Sequence, residues 1–357
     1  MPQLTLASRQ PPSDAAAMDA TMTGVEAVAA TLPAGYRARE FRDSDREPWV
    51  EERNAQVHEL QRSTADEWRE WEQIDPPKDR IRISVDAPDG GLAAGADLGP
   101  GFFPRPDGTL FGAVNVMRAH RRKGLGTALL GVVESEARAA KAPRILGSTN
   151  VAFTGSLEWA QAHGYREIGR RIESYVDVTA FDGRPFAEVV RRVESSGLRL
   201  ATVTELLADH DDAAVERFWH DLWEAETPMW EDVPWASPTP HWPYEKFKKM
   251  AVDSGKMVRD ATIVALEGER IAAFTTTGKQ GTDRGYTWMT GTGRDYRGRG
   301  LATAMKVKML AAAKGAGLRA MLTTNDEPNK AMRGINAKLG YVMLPANIEL
   351  EKTLQPL

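Results

Sequence analysis

Two short segments carry the residue types of an anion site: HRRKGLGTALL from His120 and YRGRGLATAMK from Tyr296. Each reads Arg-x-x-Gly-x-Gly/Ala, with Arg121, Gly124 and Gly126 in the first and Arg297, Gly300 and Ala302 in the second. Small residues at a helix start let its unpaired N–H groups close on a phosphate, and the helix dipole favours negative charge there. Arg122, Lys123 and Arg299 would add cationic side chains. The same glycines would also serve a tight strand-to-helix turn with no ligand. Two copies in matching settings favour the ligand.

A second cluster lies at 219–245, which holds five of the ten tryptophans, Trp219, Trp223, Trp230, Trp235 and Trp242, interleaved with acidic residues. Aromatic faces beside carboxylates favour a cationic or amino-bearing acceptor, with Trp230, Glu231, Trp235 and Trp242 as its candidates. Trp219 and Trp223 are four residues apart and fit a helix core equally well. An amine must lose a proton as it attacks a carbonyl; Glu226, Glu231, Asp232 and Asp326 are the carboxylates considered for this. The six histidines show no ligand spacing, and the absence of cysteine removes disulfides, thiolate metal sites and a Cys nucleophile, so no metal is expected.

The elements that position these residues follow from an internal repeat. His120 and Tyr296 are 176 residues apart, and so are Gly164-Tyr165 and Gly340-Tyr341. The chain therefore reads as a tandem duplication. Each half predicts a strand, helical segments, three strands, the glycine turn, a long helix, a strand, a short helix and two final strands. The helix after each turn carries an apolar stripe, Leu125, Leu129 and Val133 or Leu301, Met305 and Met309, which is core. The segment LRLATVTEL is predicted as the first strand of the second half. The expected division is a disordered leader over 1–34 with room for one short helix, a first domain over 35–180, a linker over 181–197 with a short helix, and a second domain over 198–357. Order is expected to begin at Tyr36.

The phosphate ligand is narrowed by what is missing. Gly-x-x-x-x-Gly-Lys-Ser/Thr is absent, which disfavours a nucleoside triphosphatase. Gly-x-Gly-x-x-Gly is absent at the turns, and these follow a fourth strand, whereas a dinucleotide-binding turn follows the first.

Arg-x-x-Gly-x-Gly/Ala after a fourth strand, then a strand and a helix ending in Gly-Tyr, resembles the GNAT superfamily of acyl-CoA-dependent N-acyltransferases. The resemblance covers about 36–180 and 198–357. In the second half Thr324-Asn325, Asn329, Met332, Asn336 and Leu339-Gly340-Tyr341 resemble tandem actinobacterial members of the mycothiol synthase type. It implies an α/β (α+β) fold of two domains, each a mixed, mainly antiparallel sheet flanked by helices, with acetyl-CoA in a gap between splayed fourth and fifth strands. By that resemblance, the backbone of Arg297, Gly298, Arg299, Gly300, Leu301 and Ala302 holds the pyrophosphate. Thr290, Gly291 and Thr292 line the pantetheine and offer amides to the thioester carbonyl, while Asn325 and Asn329 border or hydrogen-bond the CoA chain. Many family members place a Tyr acid five residues before the final aromatic. Here that position is Asn336, and in the first half Ala160, so Asn336 can orient a sulfur or a water but cannot supply a proton.

The second half is thereby expected to do the chemistry, with Asn336 and Glu226 as its catalytic candidates. The first half departs from the pattern after Asn150 and is expected to be empty or to hold CoA without turnover through Val116, Arg121, Arg122, Lys123, Gly124, Gly126 and Thr127. The activity implied is acetyl transfer from acetyl-CoA to a primary amine of a small molecule; the alternatives are a non-catalytic acyl-CoA sensor and acylation of protein or peptide amines. The 357 residues carry a net charge of −4, too mild for a nucleic-acid binder working by bulk charge. No apolar run is long enough to span a bilayer and no secretory signal is evident, so a cytoplasmic location is expected.

Overall fold

The computed structural model describes residues 23–76 and 78–354. The first half runs α1 (Gly24–Ala29), β1 (Arg37–Glu40), α2 (Arg46–Asn54), α3 (Ala65–Ile74), β2 (Ile81–Asp86), β3 (Leu92–Gly99), β4 (Leu110–Val116), α4 (Leu125–Ala139), β5 (Arg144–Asn150), α5 (Ser156–Ala162) and β6 (Arg166–Asp177). A linking helix α6 (Ala187–Glu194) leads to β7 (Arg199–Thr202), α7 (Val203–Leu207), α8 (Asp212–Glu231), α9 (Tyr244–Phe247), β8 (Ile263–Glu267), β9 (Arg270–Gln280) and β10 (Arg284–Thr292). Then come α10 (Leu301–Gly315), β11 (Ala320–Asp326), α11 (Lys330–Lys338), β12 (Val342–Met343) and β13 (Asn347–Thr353). The mixed α/β architecture implied by the resemblance is present, with a mostly antiparallel sheet flanked by helices.

Three local differences from the expected elements have plain causes. Order begins before Tyr36: Thr23 and Glu26 form a reciprocal cap for α1, and Val28 is buried in the first core. Residues 1–22 of the expected leader lie outside the described residues. The strand predicted over LRLATVTEL stops at Thr202, whose side chain accepts from the Glu205 amide while Glu205 reaches back; this Thr-x-x-Glu cap starts α7 instead. The two strands predicted at the end of the first half are one strand, β6.

That fusion sets the topology. The strand order is β1-β2-β3-β4-β5-β13-β6-β11-β10-β9-β8-β7, with β12 also on β6. The opening part of β6, Arg166 to Arg171, pairs with β13, while Arg171 to Asp177 pairs with β11. Thus β13, the end of the second half, inserts between β5 and β6, and the end of β6 inserts between β11 and β12. The cores record the same exchange. Ile348 and Leu350 of β13 lie with Leu125, Leu129 and Ile145, whereas Val176 of β6 lies with Leu301, Met305 and Met309.

The same shape recurs at each glycine turn. Strands β4 and β5 are parallel neighbours only at Leu110–Ile145 and Phe111–Leu146 and then diverge. Strands β10 and β11 stay paired from Arg284–Ala320 to Thr287–Thr323 before they part. Beyond those pairs, the facing edges border a gap in the sheet, and α4 or α10 starts at its mouth.

Candidate active site

Both turns are built alike. A left-handed residue, Arg122 (φ 63°) or Gly298 (φ 75°), precedes a left-handed glycine, Gly124 (φ 82°) or Gly300 (φ 86°), and the helix begins at the next residue. Neither helix start has a side-chain cap, which leaves its first-turn amides for another acceptor. Arg121 and Arg297 face back into the turn: their Nε atoms donate to Val116 O (3.2 Å) and Thr292 O (3.1 Å). Arg297 also donates to Asp232 (2.5 Å), and Arg299 donates to Asp295 O (2.8 Å). These arginines thus brace the turn, and the main chain carries the anion-binding geometry.

The surroundings of the two turns differ. The first opens onto a cleft of about 1080 Å³ lined by Trp49, Glu52, Asn115, Arg122, Thr127 and Trp159 among others. The cleft also reaches Val116, Arg121, Gly124 and Gly126, so all the expected first-half residues but Lys123 line it. Lys123 donates to Tyr36 OH (3.0 Å) nearby. Part of the need for a small residue at 126 is internal, since a Cβ there would stand 3.2 Å from the Trp159 ring. At the second turn α6 lies alongside: a Cβ on Gly300 would stand 2.8 Å from Val189 Cγ2 and 3.5 Å from Arg192 Nη2. The linking helix therefore brings an arginine to the second turn, a contribution that motif spacing does not reveal.

Along the second gap, β10 carries a bulge between Thr287 and Met289 in its pairing with β9. The extra residue, Trp288, lies over Gly278, where a Cβ would be 2.1 Å from the indole. On the α10 side of the sheet, Thr290 Oγ1 meets Thr275 Oγ1 (2.9 Å). Gly291 faces the other way, close against Met229 of α8 and Phe274. Asn325 Oδ1 accepts from Asn336 Nδ2 (2.7 Å), and Asn329 Oδ1 accepts from the Met332 amide (3.2 Å) to cap α11. The amide oxygens of both Asn325 and Asn329 therefore each accept one bond within the chain.

The four carboxylates considered as base separate clearly. Glu231 is exposed. Asp232 accepts from Arg294 (2.6 Å) and Arg297, and these bonds hold it down at about 2, where it is a poor base. Glu226 is buried on α8 with Oε2 3.9 Å from His241 Nε2. Asp326 ends β11, 4% exposed, with Oδ1 lacking a hydrogen-bond partner among the described residues. Burial pushes it up to about 6; Arg171, 3.9 Å away on β6, pulls it down and Glu349 opposes that pull. Arg171 comes from the exchanged strand, so the first half supplies part of the second half's site.

The tryptophan cluster is mostly spent on packing. Trp230 and Glu231 end α8, which runs on through Pro228. The Trp230, Trp235 and Trp223 Nε1 groups donate to the carbonyls of Thr239 (2.8 Å), Trp230 (3.2 Å) and Trp242 (2.8 Å). Trp242 stacks on Phe103 of the first half at 4.8 Å between centroids, and Trp230 lies 5.4 Å from the same ring. The faces expected to hold an acceptor thus form a seam between the halves. His220, Asp221 and Glu224 do bring ligand atoms within 4.8 Å of one another on α8, but all three are exposed, a grouping surfaces often carry.

Residues 39–165 and 216–341 each match the acetyltransferase (GNAT) family. No curated protein matches the chain. Among solved structures, a GCN5-related N-acetyltransferase from Sphaerobacter thermophilus is 20% identical, with 91% of this chain and 98% of that one covered at a TM-score of 0.67. A tandem GNAT protein from the clavulanic acid biosynthesis pathway is 16% identical, with 90% and 99% covered at 0.65. Saccharomyces cerevisiae N-myristoyltransferase with bound myristoyl-CoA is 10% identical, with 91% and 80% covered at 0.55. At these identities the likeness is one of fold. Among the described residues no helix is long and apolar enough to cross a membrane.

Proposed function

Because the chain belongs to the acetyltransferase (GNAT) family of acyl-CoA-dependent N-acyltransferases, we propose that it moves acetyl from acetyl-CoA to a primary amine of a small molecule. The second half performs the transfer. The observation that carries this reading is the gap between β10 and β11 past Thr287 and Thr323, which borders a buried carboxyl without a hydrogen bond on Oδ1, Asp326. Acetyl-CoA binds with its pyrophosphate on the amides of 298–302 and its pantetheine arm along the gap, beside Thr290 and Asn325. The thioester lies in the gap with its acyl carbon open to the α8 side of the sheet, where Asp326 takes a proton from the incoming ammonium or from the attacking nitrogen. A carboxylate titrating near 6 suits that task better than one held near 2, which favours Asp326 over Asp232.

The first half holds a second acyl-CoA without turning it over. Its cleft supports the binding; the unbroken register of β4 on β3 and the presence of Ala160 where the second half has Asn336 support the lack of chemistry.

The test is release of free CoA from acetyl-CoA in the presence of a panel of small amines, amino sugars and peptides, followed by the same assay with longer acyl-CoAs. The reading expects release with a small primary amine and at least ~10²-fold loss in Asp326→Asn, the usual worth of a positioned base. Binding of acetyl-CoA without release for any acceptor would make the protein a sensor.

A further inference from the structure

Set side by side, the two halves differ at one buried group that the proposed transfer leaves idle. In the first half Leu130 of α4, Ala160 of α5 and Tyr165 belong to one apolar core. The same 176-residue shift that relates the turns sends these three to Lys306, Asn336 and Tyr341. The aromatic is kept, while its two aliphatic neighbours have become an amine and an amide. Lys306 is fully buried, and its Nζ lies 5.1 Å from the Tyr341 ring centre. Among the described residues, Lys306 Nζ and Asn336 Oδ1 have no hydrogen-bond partner, and Tyr341 OH has only Thr287 close by, outside good hydrogen-bond geometry. Burying even one such group without compensation is costly, so the cluster marks a place suited to a polar visitor.

Their position identifies the visitor. Asn336 donates to Asn325, which lies on β11 beyond the last pair with β10 and so borders the gap. Tyr341 is tied to Asn336 through its amide (3.0 Å to Asn336 O). A helical side chain leans towards the N-terminus of its helix, which aims Lys306 from α10 towards the turn at the gap's mouth. The group that would enter there, on the reading that the second half binds acetyl-CoA, is the thioester end of the pantetheine arm.

We propose that Lys306 is the proton donor to the departing CoA sulfur. The attacking nitrogen forms its bond to the acyl carbon, the carbon–sulfur bond breaks, and its electron pair stays on sulfur. The Lys306 ammonium gives that sulfur a proton, leaving CoA thiol and a neutral amine. The proton lost by the nitrogen passes through Asp326 to water, and Lys306 regains one from water, so the cycle balances. Asn336 and Tyr341 hold the amine and the sulfur in line. Burial alone lowers Lys306 to about 7, with no charged group opposing or reinforcing it; its titratable neighbour is Tyr341, which burial pushes upward. An acid that ionises near neutrality can both give and regain a proton at working pH.

Lys306→Met keeps the length of the side chain and removes the amine. The inference, which rests on transfer in the second half, expects kcat to fall by ~10²-fold with KM for acetyl-CoA little changed. It also expects the fall of the wild-type rate above about pH 7 to disappear. Because an unpaired buried amine is removed, the variant should melt no lower than the wild type; unchanged kcat and pH profile in a folded variant would overturn the assignment. A second measurement does not depend on turnover. The chain has no cysteine, so bound CoA carries the single kind of thiol in the sample, readable by its S–H infrared band. In the wild type part of that thiol should ionise in step with Lys306, around pH 7, whereas in Lys306→Met it should ionise in a single step at a higher pH, because an ammonium beside the sulfur stabilises the thiolate. Superimposable titrations would reject a place for Lys306 beside the sulfur even if the protein proves to be a sensor. Absence of turnover with a displaced titration would instead reject the proposed transfer and keep the contact.

Discussion

Asp326 shows how much a single side chain can decide. A carboxyl held near 6 in the folded chain and near its ordinary 3.8 when unfolded binds its proton more tightly in the native state. Its folded pKa is raised, so the native advantage is complete below about pH 4, is lost as pH rises through about 6, and stays lost above. Asp326→Asn should therefore match the wild type in stability at pH 4 and exceed it by about 2–3 kcal/mol at pH 7.5, since each tenfold change in proton affinity is worth ~1.4 kcal/mol. Denaturant melts of both proteins at the two pH values measure this; an equal difference at both would mean that Asp326 does not titrate as its burial demands. The same substitution that stabilises the protein should slow it, which is the pattern of a group kept for chemistry. If Lys306 acts as proposed, the rate should also be confined to a narrow band between about 6 and about 7, set by the two buried groups.

At the scale of elements, the sequence was legible where period and punctuation decide. Leu125, Leu129 and Val133, and Leu301, Met305 and Met309, are all buried as their spacing demands, and each glycine turn lies between a strand and its helix. Alternation in RIESYVDV states that 171–177 is extended, yet it cannot state which strand lies alongside, because any partner would satisfy the same pattern. Hence the exchange of β6 and β13 was hidden. Lys306 was hidden for a different reason: it sits one residue past Met305 in an apolar helix and reads as a surface lysine until the first half's Leu130 is set beside it. The tryptophans were legible as a cluster, but composition is silent on Phe103, about 140 residues away, whose ring meets Trp242. If Trp242 serves packing, a double-mutant cycle of Phe103→Ala and Trp242→Ala should return a coupling of about 1 kcal/mol in thermal or denaturant stability. Additive losses would free the indole face for a ligand.

Across the whole molecule, the exchange makes each half unable to finish its own sheet. Without β13, strands β5 and β6 of the first half face a vacancy, and Ile348, Leu350 and Leu354 leave its core. Without the end of β6, β11 loses the seven pairs from Ala320 to Asp326, and Arg171 no longer stands beside Asp326. Further ties cross the seam, including Gln61 to Pro345 O (3.0 Å), Arg284 to Leu60 O (2.8 Å) and Lys352 to Glu134 (2.6 Å). Two ordinary tandem domains would melt separately; here each core needs the other's strand, so the chain should unfold in one transition. Calorimetry of residues 23–354 should give a single peak whose calorimetric and van't Hoff enthalpies agree. Fragments 23–197 and 198–354 produced separately should lack cooperative melting and recover it when mixed, because each restores the strand the other is missing. A cooperative transition in either fragment alone would show that the halves are independent, and would remove the reason why an arginine of the first half sits at the acid of the second.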